Sequence, residues 1–309
     1  MDKMLYNKLS PEEEDIITGK ATEAPFTGAY DKFFREGVYL CRRCDSSLYK
    51  SKDKFDSGCG WPSFDDEMRG AVVLSPDPDG ERTEITCARC DAHLGHIFFG
   101  ESYTAKDIRH CVNSLSLRFM PLDFTDGEKS EAYLAGGCFW CLEAVFEMLA
   151  GVSEVSSGYT GGLDEAPSYD KVSMGMTGHA ETVKITYDPK IIPYHRLLQV
   201  FFSIHNPSTL NRQGNDIGTQ YRSAVFYKIW RQRQEATLMI EDLEKQNLYG
   251  GPIVTEVRPL LKYYKAEEEH QDFFRKNPDQ GYCQAVINPK INKLRKEWSD
   301  LLMSPNPTE

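Results

Sequence analysis

Gly136-Gly137-Cys138-Phe139-Trp140-Cys141 joins two patterns of different period. Before it, residues 132–135 form a short apolar run of the kind that makes a buried strand; after it, residues 139–149 repeat apolar side chains at helical spacing. Cys138 is therefore expected where a strand turns into a helix. Unsatisfied amides and the dipole at a helix N-terminus favour thiolate over thiol, and the two glycines let another molecule approach the sulfur. These features make Cys138 a candidate nucleophile with two aromatic neighbours able to seat a small apolar group. The alternative is a structural cysteine, although that kind more usually sits mid-helix among aliphatics.

Toward the C-terminus, strand-like and helix-like runs alternate. Residues 154–158, 181–187, 224–227 and 253–257 read as strands, and residues 194–204 and 231–246 as helices, which together predict an α/β domain. Toward the N-terminus the pattern is lost from Pro121 through Ser130, a stretch containing Asp126-Gly127-Glu128-Lys129 and expected to be a linker. Before it come short β-favouring runs at 38–40, 71–74, 83–86, 97–99 and 114–119, separated by turns such as Asp77-Pro78-Asp79-Gly80. They predict an all-β unit. Its entry is a helix with readable ends: Ser10 caps it, Pro11 suits the first turn, Glu13 completes a capping box and Gly19 stops it.

A chain of 309 residues that is 40 % hydrophobic and 12 % aromatic can fill one or two cores, and the change of texture favours two. The formal net charge is −11, with acidic groups in excess in both halves, which argues against a nucleic-acid partner. No apolar run is long enough to span a membrane, and residues 1–10 lack the basic flank, apolar stretch and cleavage site of a signal peptide. The expectation is a soluble cytoplasmic protein with no membrane partner.

Four of the nine cysteines form two knuckles, Cys41-Arg42-Arg43-Cys44 and Cys87-Ala88-Arg89-Cys90. Each can present two thiolates to one side of a tetrahedral ion, and the matched pair points to one structural zinc. A single such knuckle would be ambiguous with a redox dithiol. Two further cysteines of this half lie in the strings Ser57-Gly58-Cys59-Gly60-Trp61-Pro62-Ser63-Phe64 and Arg109-His110-Cys111-Val112-Asn113-Ser114. Arg109 and His110 flank Cys111 with charge that favours thiolate, and Asn113 alternates onto the strand face of Arg109 and Cys111. Read alone, Cys111 could equally be a buried strand cysteine, His93 and His96 structural histidines or a metal-binding pair, and Trp61 a core residue.

Taken together, Cys-x-x-Cys, Gly60-Trp61-Pro62-Ser63-Phe64, His93-Leu94-Gly95-His96 and Arg109-His110-Cys111-Val112-Asn113 resemble the methionine sulfoxide reductase B family over about residues 5–121. The second half resembles methionine sulfoxide reductase A over about residues 131–298. Its motifs are Gly137-Cys138-Phe139-Trp140, Gly158-Tyr159-Thr160-Gly161-Gly162, Thr177-Gly178-His179-Ala180-Glu181, residues 216–223 and Gly281-Tyr282-Cys283. The resemblance implies a fusion: a B-type domain over 1–120, a linker over 121–130 and an A-type domain over 131–309. It also implies the folds, a small β-barrel or sandwich with structural zinc followed by a ferredoxin-like α/β plait with a mixed sheet.

The implied chemistry is reduction of methionine sulfoxide, free or in oxidised proteins, in the service of protein repair. A thiolate attacks the sulfoxide sulfur, methionine leaves, and the resulting sulfenic acid condenses with a second cysteine to a disulfide that thioredoxin or a similar dithiol reopens. No organic cofactor is needed. By resemblance, nucleophile and resolver are Cys111 and Cys59 in the first domain, acting on the R epimer, and Cys138 and Cys283 in the second, acting on the S epimer. Glu181 is the implied proton donor of the A-type site, helped by Tyr169 and Tyr221; Phe139 and Trp140 seat the S-methyl group, and Asp216 orders the tyrosine or the substrate. His96, Arg109 and Asn113 surround the oxygen in the B-type site, with His93 in support and Trp61 against the methyl group. Tyr159 is expected to pack rather than react, and residues 267–270 to form a solvated helix face with one buried anchor. Cys141 stands where many A-type enzymes have glycine, as an inert thiol or an alternative resolver, and Ser173 stands where relatives often have cysteine. A thioredoxin-like oxidoreductase or a non-catalytic zinc module would account for the cysteines; bound zinc argues against the first, and sulfoxide turnover against the second.

Overall fold

The computed structural model describes residues 6–77, 79–123 and 129–303, and the chain divides after residue 123 into two compact units. The expected linker falls partly outside the described residues, at 124–128, as does Pro78 of the expected turn.

The first unit opens with α1 (Pro11–Ile17). The Ser10 hydroxyl accepts from the Glu13 amide while the Glu13 carboxylate accepts from the Ser10 amide, so both orphan donors are satisfied. Nine strands follow: β1 (Gly37–Cys41), β2 (Ser47–Lys50), β3 (Lys54–Phe55), β4 (Ser63–Phe64), β5 (Val72–Pro76), β6 (Thr83–Cys87), β7 (His93–Phe99), β8 (Ile108–Val112) and β9 (Leu117–Pro121). They form a three-stranded sheet, β2-β1-β9, and a six-stranded sheet, β3-β4-β8-β7-β6-β5. Tyr39, Tyr49, Phe64, Ile85 and Leu94 fill the space between them, each fully buried. Of the run at 114–119, the first three residues form a 3₁₀ turn (Ser114–Ser116) before the strand begins.

One irregularity in this sheet positions a site. Ile85 pairs with Gly95 but Thr86 pairs with His93, so β7 carries one extra residue against β6. This bulge places His93 and His96 on the same face, their rings 5.5 Å apart, although they stand an odd three positions apart. Gly95 is required here, because a Cβ would lie 2.1 Å from the Cys111 carbonyl oxygen.

The second unit contains β10 (Ser130–Ala135), α2 (Phe139–Phe146), β11 (Val152–Thr160), α3 (Tyr169–Ser173), β12 (Ala180–Tyr187), α4 (Tyr194–Ile204), β13 (Arg212–Gln213), β14 (Asp216–Ile217), β15 (Ala224–Tyr227), α5 (Trp230–Gln246), β16 (Glu256–Pro259), β17 (Tyr264–Lys265), α6 (Phe273–Lys276) and α7 (Asn288–Glu297). Six strands make one mixed sheet, β16-β15-β10-β12-β11-β17, in which only β15 and β16 run parallel. Alternation along β10 divides the interior. Ala132 and Leu134 join the large core with Phe139, Leu142, Leu197, Phe201 and Leu294, whereas Tyr133 and Ala135 join Phe226 in a small cluster covered by Leu260 and Tyr263. Full burial of each large apolar side chain contributes about 1.5–3 kcal/mol.

The boundaries depart from expectation in two places. α2 stops at Phe146 rather than continuing to residue 149, because the Met148 and Leu149 amides turn to the carbonyls three residues back. The strand expected at 253–257 forms at Glu256–Pro259, in register with β15, while the Val254 amide is taken by the Pro207 carbonyl. Among the described residues, no helix is long and apolar enough to cross a membrane.

Candidate active sites and a four-cysteine centre

The two knuckles of the first unit share one local geometry. Each follows a strand, β1 or β6, and each is closed by an aspartate in the left-handed region, Asp45 (φ 60°) and Asp91 (φ 58°), whose amide returns to the carbonyl of the first cysteine at 2.9 Å. The four sulfurs lie within 4.8 Å of one another and are buried; Cys41 is 3.6 Å from Cys90 and Cys44 is 3.7 Å from Cys87. Zinc–sulfur bonds of about 2.3 Å in a tetrahedron put sulfurs about 3.8 Å apart. The donor set therefore fits a closed zinc-thiolate site.

Cys111 lies on β8, opposite His96 of β7 and Ser63 of β4. Cys59 reaches it from the loop between β3 and β4, with 3.8 Å between the sulfurs. The hydrogen bond between them divides one proton unequally. With help from the Ser57 hydroxyl it pulls Cys59 down to about 4, and together with burial it pushes Cys111 well up. The sequence pointed to a thiolate at Cys111, favoured by Arg109 and His110. Arg109 does pull Cys111 down, but less than Cys59 and burial raise it, and its guanidinium donates to the Cys59 sulfur at 3.5 Å. His110 points to the opposite face of β8, where burial lowers it to about 4 and its Nδ1 lies 3.3 Å from the Tyr49 hydroxyl. It carries no charge at neutral pH and cannot assist.

Around this pair, Glu101 clamps Arg109 through two bonds of 2.6 and 2.8 Å. His96 Nε2 lies 2.6 Å from Asp77, and His93 Nδ1 lies 2.7 Å from Glu84, which also holds Lys20. Burial lowers the His93 pKa in spite of Glu84, and its Nε2 has no hydrogen-bond partner among the described residues. The half-buried Trp61 donates its indole N–H to the Glu23 carbonyl at 3.1 Å. Asn113 accepts from the Glu23 amide and donates to the Leu94 carbonyl.

In the second unit, β10 ends at Ala135 and the glycines turn the chain into α2, with Cys138 as its N-cap residue. Gly137 has φ +92°, and a Cβ there would meet Gln213 at 2.7 Å. The Phe139 amide, one of the orphan donors of the helix, bonds the Glu181 carboxyl at 3.1 Å. Burial nevertheless raises Glu181 to about 8, with Asp216 and Cys141 adding to the rise. It is a protonated acid at neutral pH.

Cys138 departs from the sequence reading. Burial, the nearby Cys141 thiol and the Glu181 carboxyl raise its pKa well above the usual thiol range, whereas the Cys138 thiol, Lys290 and Tyr282 lower Cys141 to about 7. Desolvation outweighs the helix terminus.

Tyr169 and Tyr221 are both raised by burial and then by Glu181 and Cys138, Tyr169 to about 12, so both stay neutral phenols facing these groups. Asp216 accepts from the hydroxyl of Tyr282 at 2.9 Å; that tyrosine precedes Cys283 and approaches Cys141 to 3.9 Å. Phe139 is fully buried, and the half-buried Trp140 stacks on Phe273 with ring centres 3.6 Å apart. Cys283 is fully buried at the start of a π-helical turn (Cys283–Ile287), its thiol raised by burial. Tyr159 is a buried packing residue whose hydroxyl donates to Glu267. Ser173 donates to the Asp170 carbonyl.

Sequence reasoning passed over three contributors. His270 is buried against Tyr169, with ring centres 4.1 Å apart, and neither of its nitrogens has a hydrogen-bond partner among the described residues. Phe273 supports Trp140, and Glu267 accepts from both Tyr159 and the Tyr169 amide. Glu267, Glu268 and Glu269 are exposed and His270 is buried, so the 267–270 run has the one buried anchor expected of it. The available signal was the single histidine ending an acidic run.

Thiols within bonding reach of one another, close to groups that hold protons, belong to the chemistry of thiol oxidoreductases. Residues 130–302 match the model of the peptide methionine sulfoxide reductase family, and residues 9–121 match the SelR domain. The chain belongs to the peptide methionine sulfoxide reductases, as a fusion with the SelR, or B-type, domain first and the A-type domain second. It is similar to peptide methionine sulfoxide reductase MsrA of Deinococcus radiodurans, 51 % identical over 56 % of this chain and 84 % of the relative. The MsrA of Pseudarthrobacter chlorophenolicus is 53 % identical over 54 % of this chain and 94 % of that protein. Among solved structures, methionine sulfoxide reductase A of Corynebacterium diphtheriae aligns over 53 % of this chain and 82 % of its own, at 35 % identity and a TM-score of 0.49.

The elevated Glu181 yields a test of sign. A carboxyl raised in the folded state favours the protonated form, so its contribution to stability is full below about pH 4.5 and is lost as pH rises toward about 8. Stability of Glu181→Gln, measured by denaturant unfolding, should gain on wild type across that window, by about 1.4 kcal/mol for each tenfold difference in proton affinity between the folded and unfolded chain. Parallel curves for the two proteins would refute the assignment.

Proposed function

We propose that the chain reduces the R epimer of methionine sulfoxide in its first unit and the S epimer in its second, and so repairs oxidised methionine. The observation that carries this reading is the 3.8 Å between Cys59 and Cys111, which lets a sulfenic acid on one meet a thiol on the other without rearrangement. In each unit a cysteine sulfur attacks the sulfoxide sulfur, the oxygen passes to the cysteine as sulfenic acid, and methionine departs with the electron pair of the broken bond. The resolving thiol displaces water and forms a disulfide. An external dithiol of the thioredoxin kind then exchanges with it, returning two thiols. Such a cycle fits a reducing compartment, which supports a cytoplasmic location.

Cys111 is the nucleophile and Cys59 the resolver of the first unit. Arg109 and His96 meet the oxygen there with Asn113, His93 supports them, and Trp61 faces the methyl group. Cys138 is the nucleophile of the second unit. Glu181 gives its proton to the departing oxygen, as its elevated pKa suits it to do, and Tyr169 and Tyr221 add phenolic donors. Phe139 and Trp140 seat the methyl group. Asp216 acts through Tyr282, whose hydroxyl it holds. Cys41, Cys44, Cys87 and Cys90 hold one zinc ion, which contributes folding free energy and takes no part in the reaction.

For the second resolver, the family pattern favours Cys283. One observation favours Cys141 instead: it lies in the first turn of the helix that Cys138 caps and is the thiol of the pair pulled toward thiolate.

Zinc is tested by metal analysis of reduced protein, where one equivalent is expected; Cys87→Ser should lose it, melt earlier in the first unit and keep S-epimer turnover. Epimer assignment is tested by methionine release from each purified sulfoxide under saturating dithiothreitol. Cys111→Ser should abolish R turnover alone, Cys138→Ser S turnover alone, and Glu181→Gln should slow the S reaction by about 10² to 10⁴. An S-epimer loss below about tenfold would remove Glu181 as principal donor. The two resolver readings separate in thioredoxin-coupled assays: a stalled Cys283→Ser supports the family pattern, whereas a stalled Cys141→Ser beside a cycling Cys283→Ser assigns the role to Cys141.

A further inference from the structure

We infer that Glu23 is a positioning residue of the first unit, setting Trp61 and Asn113 against Cys111 at the same time. The inference rests on the proposed roles of those two side chains and adds the group that aligns them. Glu23 lies between α1 and β1, far in sequence from either. Its carboxylate is buried and accepts from the amides of Ser114 at 2.5 Å and Leu115 at 3.1 Å, the opening residues of the 3₁₀ turn that follows β8. Charge-assisted bonds to amides at such a terminus are stronger than neutral ones. They tie the backbone of residue 23 to the strand that carries Cys111.

That backbone then performs two tasks. The Glu23 N–H donates to the side-chain oxygen of Asn113 at 3.1 Å, and the Glu23 carbonyl accepts the Trp61 indole N–H at 3.1 Å. The first bond settles which way the Asn113 amide faces. One of its N–H groups goes to the Leu94 carbonyl at 3.2 Å, and the other is left for a substrate oxygen. The second bond fixes the half-buried indole from its polar edge, leaving its face for the methyl group. Gly28 lies against this carboxylate, since a Cβ on it would come within 2.6 Å of a Glu23 oxygen and 2.2 Å of the Ser114 hydroxyl.

The test uses the full chain. Glu23→Gln keeps the shape but places an amide nitrogen against an N–H donor. Its kcat/KM for the R sulfoxide should fall at least about tenfold, while S turnover and the rate at which iodoacetamide labels Cys111, read by peptide mass spectrometry, stay within about twofold of wild type. Adding Trp61→Phe or Asn113→Ala to Glu23→Gln should cost much less than either costs alone, because groups that act through one another are not additive. The inference is overturned if R turnover in Glu23→Gln stays within about twofold of wild type, or if the losses add in full. Should the glutamine variant melt early, Glu23→Asp, which keeps the charge and shortens the reach, must show the same pattern at smaller size. If Trp61→Phe and Asn113→Ala leave R turnover unchanged by themselves, the site reading fails first and this inference with it.

Discussion

Removal of water from around the Glu181 carboxyl, enclosed between β12 and the first turn of α2, decides which groups near Cys138 carry protons. In water a glutamate gives up its proton well below neutrality; here the single amide of Phe139 does not replace the lost solvation, and the carboxyl stays protonated. The same dryness raises Cys138, Tyr169 and Tyr221. A site assembled this way holds protons close to a sulfur at neutral pH. The strand-to-helix turn contributes placement more than acidity, because the glycines and the helix start bring the thiol, the amide and the acid to one point.

The first unit reaches a similar end with a sheet. Alternation along β8 puts Arg109 and Cys111 on one face and His110 on the other, and one inserted residue in β7 brings both His93 and His96 to the face that carries Cys111. A shift of one residue in that pairing would exchange every one of these neighbours. The close fit of Gly95 beneath the Cys111 carbonyl guards the register, since a larger residue would force the strands apart.

The sequence carried the parts that are local. The Ser10–Glu13 capping box, α4 at residues 194–204, the paired knuckles and the turn before Cys138 all depend on neighbours a few residues away, and the structure has them as read. Properties that depend on distant segments were not legible. Whether Cys111 holds its proton is decided by Cys59, fifty-two residues earlier, and His110 is neutral because Tyr49 and the core surround it. The tyrosine held by Asp216 proved to be Tyr282, which only the return of the C-terminal segment brings close. His270 looked like part of an acidic run because its partners, Tyr169 and Trp140, come from two other elements.

The four-sulfur cluster sits at the ends of β1 and β6, strands that belong to different sheets, and joins thiols 43 and 49 residues apart in the chain. An ion held there would act as a cross-link closing a long loop. The entropy of closing such a loop grows only with the logarithm of its length, so the connection between β3 and β4, which carries Cys59 and Trp61, could vary in length at little energetic cost. The two sheets would keep their separation whatever the loop between them does. Tolerance of change in the loop that carries Cys59 and constancy of the frame would thus be two results of one attachment.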